Sequence, residues 1–264
     1  MKKIRFYQVD AFTSRLFGGN PAAVCLLDKW LDNHLMQSVA AENNLSETAF
    51  VVATAQGFDI RWFTPTVEVD LCGHATLASA YVVFNYCNYQ ADEITFNSPR
   101  SGILKVRKDG DMLFLDFPAD AFTRCDILPE IRAGVGLIPL EVYKGKTDYM
   151  AVFRTEAEVR HMRPDYKVIG KIEARGLIVT APGQDVDFVS RFFGPQSGVD
   201  EDPVTGSAHT TLVPYWSARL GKQELSALQI SARAGTLQCG YQPPRVIIGG
   251  KAQLYATGEL YLPA

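Results

Sequence analysis

The alternation of apolar and polar side chains predicts β-strands in both halves of the chain. Apolar residues recur at every second position, or in short unbroken runs, at residues 4–9, 49–53 and 176–180. Alternation is typical of a strand that is buried on one face, and a short apolar run is typical of a strand that is buried on both. We therefore expect the whole chain to contribute strands.

Each half also carries one predicted helix. Residues 74–85 contain no charged side chain, so this helix is expected to be buried on all sides. Strands wrapped around one central helix would explain such a pattern. A second helix is predicted at residues 208–220, with Gly221 as its C-terminal stop and Pro214 as the cause of a kink or an early end.

Turn-forming dipeptides predict one hairpin in each half, at residues 109–110 (Asp-Gly) and 249–250 (Gly-Gly). Further turn residues cluster at residues 118–129, and a charge-rich stretch follows them. This region is the expected boundary between two domains, which we predict to comprise residues 1–118 and 119–264. The sequence leaves open whether residues 254–262 stay with the second half or return to the first.

The two predicted halves are related in sequence. Two short motifs recur at an offset of 133 residues and a third recurs at 130, close to half of the 264-residue chain. The pairs are S-x-R-x-G-x-L at 98–104 and 231–237, G-x-A at 73–75 and 206–208, and an aromatic motif at 61–65 and 191–195. Because the three matches occur in the same order, they indicate a duplicated unit.

Composition and charge argue against several classes of function. Apolar residues make up 47% of the chain, charged residues 21%, and the net charge is −3. A slightly negative chain lacks the positive charge that would attract nucleic acid or an anionic membrane, so we expect neither partner. We expect neither a signal peptide nor a membrane span. The five cysteines are scattered without a CxxC pair, which argues against a disulfide framework or a zinc site and favours a reducing cytoplasm.

The glycines of the repeated G-x-A motif, Gly73 and Gly206, each precede a predicted helix. The first N–H groups of a helix have no partner inside it, and they carry partial positive charge. If the halves face each other, the two helix starts would form one anion pocket for a carboxylate or a developing enolate. The alternative is that both glycines are ordinary turn residues.

Groups that could transfer protons lie close to these positions in the sequence. Glu47 precedes an apolar strand, and Asp202 precedes the second helix. A carboxylate in an apolar, closed cleft can exchange protons near neutral pH. The alternatives are a solvated strand-edge carboxylate for Glu47 and a helix cap for Asp202. His74 could simply bond its own turn, and Ser207 could be a cap.

Cys72 stands directly before the first glycine, where a helix start would stabilise a thiolate. Two-base racemases of related shape use one cysteine from each half. The equivalent position in the second half is Thr205, so a cysteine-pair racemase is disfavoured. A small core residue is the alternative for Cys72.

The motifs of the chain resemble those of the PhzF-like family of phenazine biosynthesis. They run in the family's order through nearly the whole chain, and the last is highly specific. The matching motifs are YQVDAFT at 7–13, FGGNPAAV at 17–24, NLSET at 44–48, FTP at 63–65, GHA at 73–75 and DPVTGSAH at 202–209. The chain resembles the broad family more than the phenazine enzyme itself.

This resemblance implies an α+β, diaminopimelate-epimerase-like fold with two pseudo-symmetric halves, each a β-barrel-like sheet around a central helix. It also implies a homodimer. The glutamate of the L-S-E-T block, which is Glu47 here, is the acid/base that moves a proton. The resemblance places the groups that orient the substrate at His74, Asp202 and Ser207, and we assign His74 and Asp202 to the catalytic set. Gly73 and Gly206, from the helix-start argument, and Asn20 of the FGGNPAAV motif are predicted to bind the substrate.

The predicted function is a cytoplasmic isomerase that moves a proton on a small carboxylate-bearing substrate in the cleft between the halves. No nucleotide, flavin or metal motif is present in the sequence, so we expect neither a cofactor nor a metal. Asp202 would orient His74 or serve as a second acid/base. A cysteine-dependent racemase or epimerase and a non-catalytic small-acid-binding protein are the alternatives.

Overall fold

The computed structural model describes residues 1–263. The chain forms two compact units. The first contains Met1–Asp116 together with the chain from Gly249 onward, and the second contains Phe117–Ile248. No helix in the described range is both long and apolar enough to cross a membrane.

The first unit is built mainly of strands. Its helices are α1 (Asn33–Asn43) and α2 (Gly73–Tyr86), and its strands are β1 (Lys2–Ala11), β2 (Asn20–Leu27), β3 (Glu47–Thr54), β4 (Gly57–Phe63), β5 (Glu68–Val69), β6 (Glu93–Ser98), β7 (Gly102–Asp109), β8 (Met112–Pro118) and β18 (Ala252–Leu262). Strands β2 and β3 pair in parallel, as do β4 and β6. The pairs β1–β2, β3–β4, β4–β5, β6–β7 and β7–β8 are antiparallel.

Helix α2 is the buried helix predicted from its lack of charge. It packs against β2 and also contacts β1, β3 and β18. All its residues from Gly73 to Ala80 are buried. The core beside α1 includes Met36, Phe50 and Phe63. The predicted Asp-Gly hairpin is also confirmed, because β7 and β8 meet at Gly110, whose φ is +60°.

The last strand belongs to the first unit rather than the second. Strand β18 pairs antiparallel with β1, from Lys2 opposite Leu262 to Ala11 opposite Ala252. Of the two placements that the sequence left open, this strand takes the return to the first half, so the predicted bounds 119–264 do not hold for it. The predicted Gly-Gly hairpin was also misplaced. Residues 249–250 end β17, and the turn before β17 lies at residues 243–244.

The second unit repeats this design with more helices. Its helices are α3 (Pro129–Val135), α4 (Glu156–His161), α5 (Tyr166–Ile169) and α6 (His209–Leu220), with a 3-10 turn at Pro195–Ser197. Its strands are β9 (Thr123–Cys125), β10 (Glu141–Lys144), β11 (Asp148–Val152), β12 (Gly176–Pro182), β13 (Phe188–Gly194), β14 (Val199–Asp202), β15 (Glu224–Gln229), β16 (Gly235–Gln242) and β17 (Arg245–Gly250).

The pairing pattern confirms the duplication. Strands β11 and β12 are parallel, as β2 and β3 are, and β13 and β15 are parallel, as β4 and β6 are. The antiparallel pairs β10–β11, β12–β13, β13–β14 and β15–β16 match β1–β2, β3–β4, β4–β5 and β6–β7. In each unit the apolar helix lies between the short fifth strand of the pattern and the strand that follows it.

The repeated aromatic motif carries a repeated ion pair. Arg61 donates two hydrogen bonds to the Glu68 carboxylate at 2.7 and 2.8 Å, and Arg191 donates two to Glu201 at 2.7 and 2.9 Å. Each guanidinium also lies about 5 Å from the ring of the phenylalanine two residues later. Each pair joins the strand that carries the arginine to the segment leading to the helix start, so it holds that segment in place.

Helix α6 runs without interruption from His209 through Pro214 to Leu220. It ends where predicted, because Gly221 is left-handed, with φ +66°, and its N–H reaches the carbonyl of Ser217. The predicted early end at Pro214 was wrong. The buried Trp216 ring stacks on Phe188 in this part of the second unit, which helps to anchor the helix.

Candidate active site

Glu47 lies at the start of β3, in parallel register with Ala22 of β2. Its side chain is only 16% exposed, and Oε2 lies 3.1 Å from Nε2 of His74. The alternative of a solvated strand-edge carboxylate is therefore wrong. The β3 backbone fixes the carboxylate beside the first turn of α2.

His74 is the second residue of α2, and its ring contacts three side chains. Besides Glu47 at Nε2, the amide nitrogen of Asn20 lies 3.1 Å from Nδ1, and the Cys72 sulfur lies 3.5 Å from the same nitrogen. The imidazole is 5% exposed. The expected alternative, a histidine that bonds only its own turn, does not hold, because two of the three partners come from other strands.

Asn20 reaches His74 because of the loop that precedes it. It is fully buried, begins β2 and pairs with Ala11 of β1. Gly19, directly before it, has a φ of +60°, and a Cβ at this position would overlap the carbonyl oxygen of Ala11. The close approach of the two backbones thus requires glycine, and it sets the amide of Asn20 beside the imidazole.

Cys72 is the N-cap residue of α2, and it makes no side-chain capping hydrogen bond within the described chain. Burial, reinforced by the Glu47 charge, raises the pKa of its thiol to about 11. The stabilised thiolate expected at a helix start is therefore not supported, since desolvation outweighs the helix dipole. The group is a neutral thiol at pH 7.

The second unit carries a separate cluster around the DPVTGSAH motif. The Asp202 carboxylate accepts a hydrogen bond of 2.5 Å from the Thr205 hydroxyl. The buried Gln229 side chain donates to the carbonyl of Asp202 at 2.8 Å and accepts from the N–H of Thr205 at 2.9 Å. Asp202 is not the cap of α6, because the N-cap residue is Ala208.

Ser207 is held by an arginine that the sequence did not single out. Arg175 donates from Nη1 to the Ser207 hydroxyl at 2.8 Å and from Nε to Asp148 at 2.9 Å. A second contact joins Nη2 to the same carboxylate. The Asp148 side chain is 4% exposed, so the guanidinium is firmly anchored. Ser207 is therefore not merely a cap.

Comparison with known proteins identifies the family. Residues 9–258 match the family model of the phenazine biosynthesis-like proteins, PhzC-PhzF. The chain belongs to this family. An uncharacterized isomerase from Pseudomonas aeruginosa is 50% identical to it, over 98% of this chain and 100% of that protein. A PhzF-family crystal structure from Enterococcus faecalis is 48% identical, with a TM-score of 0.96, and the match covers 99% of this chain and 100% of the other.

More distant structures share the fold alone. A hydroxyproline epimerase from Agrobacterium vitis is 10% identical, with a TM-score of 0.60 over 98% of this chain and 92% of its own. The predicted α+β, diaminopimelate-epimerase-like fold and the predicted family are thus confirmed. Because close relatives are isomerases, this PhzF-family chain is an enzyme of the isomerase class.

The structure brings together part of the site predicted for this PhzF-family enzyme. In the first unit Glu47, His74 and Asn20 are in contact, and Gly73 is the buried first residue of α2. In the second unit the loop after Asp202 carries the buried Gly206 and the half-buried Ser207. The roles of these residues, and a shared anion pocket for the two helix starts, stay predictions.

The partners that orient these groups in the second unit lie outside the predicted site. Arg175, Asp148 and Gln229 lie in none of the motifs that resemble the family. Only the position of Arg175 directly before an apolar strand could have drawn attention to it, since Glu47 stands at the equivalent strand start.

The charge on His74 depends on its neighbours. Burial disfavours the imidazolium, but the electrostatic and hydrogen-bonding interactions of the ring with Cys72 and Glu47 outweigh burial, so the pKa of His74 lies well above its ordinary value. A protonated His74 can then donate from Nε2 to the carboxylate.

Proposed function

We propose that this isomerase moves a proton between carbon atoms of a small carboxylate-bearing substrate, without a cofactor, and that Glu47 is the acid/base. The observation that carries the proposal is the 3.1 Å contact of Glu47 with His74. The contact uses one carboxylate oxygen, so the other can receive a proton from carbon and return it elsewhere.

His74 and Asn20 are the groups that we assign to support this step. A proton on Nε2 stabilises the charged carboxylate before transfer, and a neutral Glu47 after transfer leaves the imidazolium beside any negative charge on the substrate. The imidazolium also carries a proton on Nδ1, and a half-turn of the Asn20 amide places its oxygen there to accept that proton and fix the ring orientation. Proton movement therefore requires no large side-chain displacement.

The start of α2 suits the substrate's carboxylate. Gly73 has no side chain to block access to the first amides, and Cys72 makes no side-chain capping hydrogen bond in the described chain. Amides at the start of a 14-residue helix favour an anion. We assign Gly73 to substrate binding, and Gly206, Ser207 and Asp202 keep the roles predicted from the motifs. The homodimer and cytoplasmic location belong to this proposal, and the five free cysteines support a reducing compartment.

The test is hydrogen exchange in deuterated water. Small carboxylates are incubated with the wild-type enzyme, and deuterium in recovered substrate and product is measured by mass spectrometry. Glu47→Gln keeps the shape of the side chain but removes the base, so turnover and labelling should fall by about 10²–10⁴-fold. Glu42→Gln, on the exposed face of α1, is the control. Retained turnover and labelling in Glu47→Gln would exclude Glu47 as the proton carrier.

A second candidate function is epimerisation with Cys72 as the second proton-transfer group. The 3.5 Å contact between its sulfur and Nδ1 of His74 favours this candidate, since a neutral thiol is a proton donor. An epimerase removes a proton from one face of the reacting carbon and delivers a proton to the opposite face. Cys72→Ala would then abolish inversion and leave exchange on one face, whereas an isomerase that uses Glu47 alone would keep its product. Cys87→Ala, a half-buried thiol at the other end of α2, is the control.

A further inference from the structure

Three different metal-ligating groups converge in the first unit. The Cys72 sulfur lies 4.0 Å from Nε2 of His74, and Oε2 of Glu47 lies 3.1 Å from the same nitrogen. One donor atom from each residue lies within 4.8 Å of the other two. Glu47 lies 25 positions before Cys72 in the chain, so the three residues do not form a recognisable metal-ligand motif in the sequence.

We propose that Cys72, His74 and Glu47 form a Zn²⁺-binding site, and that bound zinc blocks the isomerase. Zinc binds thiolate at about 2.3 Å and imidazole or carboxylate at about 2.0–2.2 Å, so tetrahedral ligands lie roughly 3.3–3.6 Å apart. The present separations of 4.0 and 3.1 Å bracket that range. The third separation, between the Cys72 sulfur and the Glu47 carboxylate, is no more than 4.8 Å. Side-chain shifts of about 1 Å would complete the geometry.

The donor set selects the metal. A sulfur, a nitrogen and an oxygen donor suit zinc, whereas Mg²⁺ and Ca²⁺ take oxygen ligands. Binding replaces the thiol proton of Cys72, which leaves to solvent, and the metal takes a lone pair of Glu47. The fourth position is open to water or to a carboxylate of the substrate.

Asn20 can orient the imidazole of His74 for metal binding. Ligation through Nε2 requires a proton on Nδ1, and the Asn20 amide lies 3.1 Å from that nitrogen. A half-turn of the amide places its oxygen there to accept the proton. Outer hydrogen bonds of this kind orient histidine ligands in metal sites. Cys72 and His74 are buried, while Glu47 is 16% exposed and leaves a side for entry.

The binding site stands on the geometry alone, and only the inhibition rests on the proposed role of Glu47. A metal bound to this carboxylate removes the electron pair that would accept a proton from carbon. Zinc should therefore compete with proton transfer and should not assist it.

Binding is tested first, without reference to activity. The chelator-treated enzyme is titrated with Zn²⁺ against a chromophoric competitor, and with Co²⁺ while the sulfur-to-cobalt charge-transfer band is recorded. We expect one Zn²⁺ per chain and a cobalt band in the wild-type enzyme and in Cys87→Ala. Cys72→Ala, Cys72→Ser and His74→Ala should lose the band or bind at least about 10-fold more weakly. Circular dichroism verifies that each variant is folded.

Equal zinc affinity and an unchanged cobalt band in both folded Cys72 variants would overturn the site. Failure of the wild-type enzyme to bind zinc would do the same. If zinc binds through Cys72 but deuterium exchange continues at its full rate, the inhibition is overturned. The role of Glu47 is decided separately, by exchange in metal-free Glu47→Gln.

Discussion

The glycine before Asn20 offers a direct test of how the fold positions the candidate site. Gly19 connects β1 to β2, with φ +60°, and the carbonyl of Ala11 stands where its Cβ would be. Ala11 pairs with Asn20 in the same antiparallel register. An alanine at position 19 must therefore displace the strand pair that carries Asn20.

Gly110 is the matched control for this substitution. It also has φ +60°, in the turn between β7 and β8, but no atom lies within 4 Å of a Cβ built there. Gly110→Ala should cost about 1–2 kcal/mol for the left-handed backbone alone. Gly19→Ala adds an overpacking cost of about 1–3 kcal/mol, for a total of about 2–5 kcal/mol.

Urea denaturation of both variants, followed by circular dichroism and tryptophan fluorescence, measures the difference. We expect Gly19→Ala to lose clearly more stability than Gly110→Ala, and to lose isomerase activity at urea concentrations where it is still folded. The activity loss follows because Asn20 moves away from His74. Equal midpoints for the two variants would refute the claim that close backbone approach fixes Asn20.

Three further predictions test the electrostatics of the two units. The pKa of His74 is raised in the folded enzyme, so its charge contributes stability below the unfolded value of about 6.5, and that stability is lost as pH rises through the folded pKa. The unfolding free energy of His74→Gln should therefore lie further below that of the wild type at about pH 6 than at about pH 9.5. The control is His34→Gln at an exposed position. A difference between His74→Gln and wild type that does not change with pH would contradict the prediction. Arg191 donates to the Met162 and Val159 carbonyls as well as to Glu201, so Arg191→Lys should be more destabilising in urea than Arg61→Lys, by about 1–3 kcal/mol; equal losses would show that the extra bonds contribute little. Arg175→Lys keeps a charge for Asp148 but loses the fork that reaches Ser207, so KM for a carboxylate substrate should rise more than kcat falls, and an unchanged KM would remove Arg175 from substrate positioning.

The sequence predicted the fold well because its signals were local and repeated. An uncharged stretch gave the buried helix α2, Asp-Gly gave the β7–β8 turn, and Gly221 gave the end of α6. It failed for the Gly-Gly dipeptide at 249–250, since two glycines also occur at a strand end. The pairing of β18 with β1 depends on residues some 250 positions apart in the chain, and no local pattern encodes such a contact.

The candidate site was predicted in part for the same reason. Glu47, His74 and Asn20 lie in motifs that could be recognised one at a time. Their distances depend on the parallel register of β2 and β3 and on the backbone of Gly19, which the motifs do not specify. The neutral state of Cys72 depends on its burial, which its position before a helix start does not reveal.

The two units share one strand pattern but carry different side chains at the start of an equivalent strand. Glu47 begins β3 beside its parallel partner β2, and Arg175 stands immediately before β12, which pairs in the same way with β11. Each side chain contacts the residue that follows the repeated glycine. Glu47 reaches His74, and Arg175 reaches Ser207.

The two contacts differ in the one property that matters for proton transfer. A carboxylate beside an imidazole can accept a proton and return it within a catalytic step, whereas a guanidinium does not lose its proton in a protein. The repeated arginine–glutamate pairs hold both helix-start segments in the same way. The two units therefore differ at the strand start: the first carries the proposed acid/base Glu47, and the second carries Arg175, which donates a hydrogen bond to the Ser207 hydroxyl.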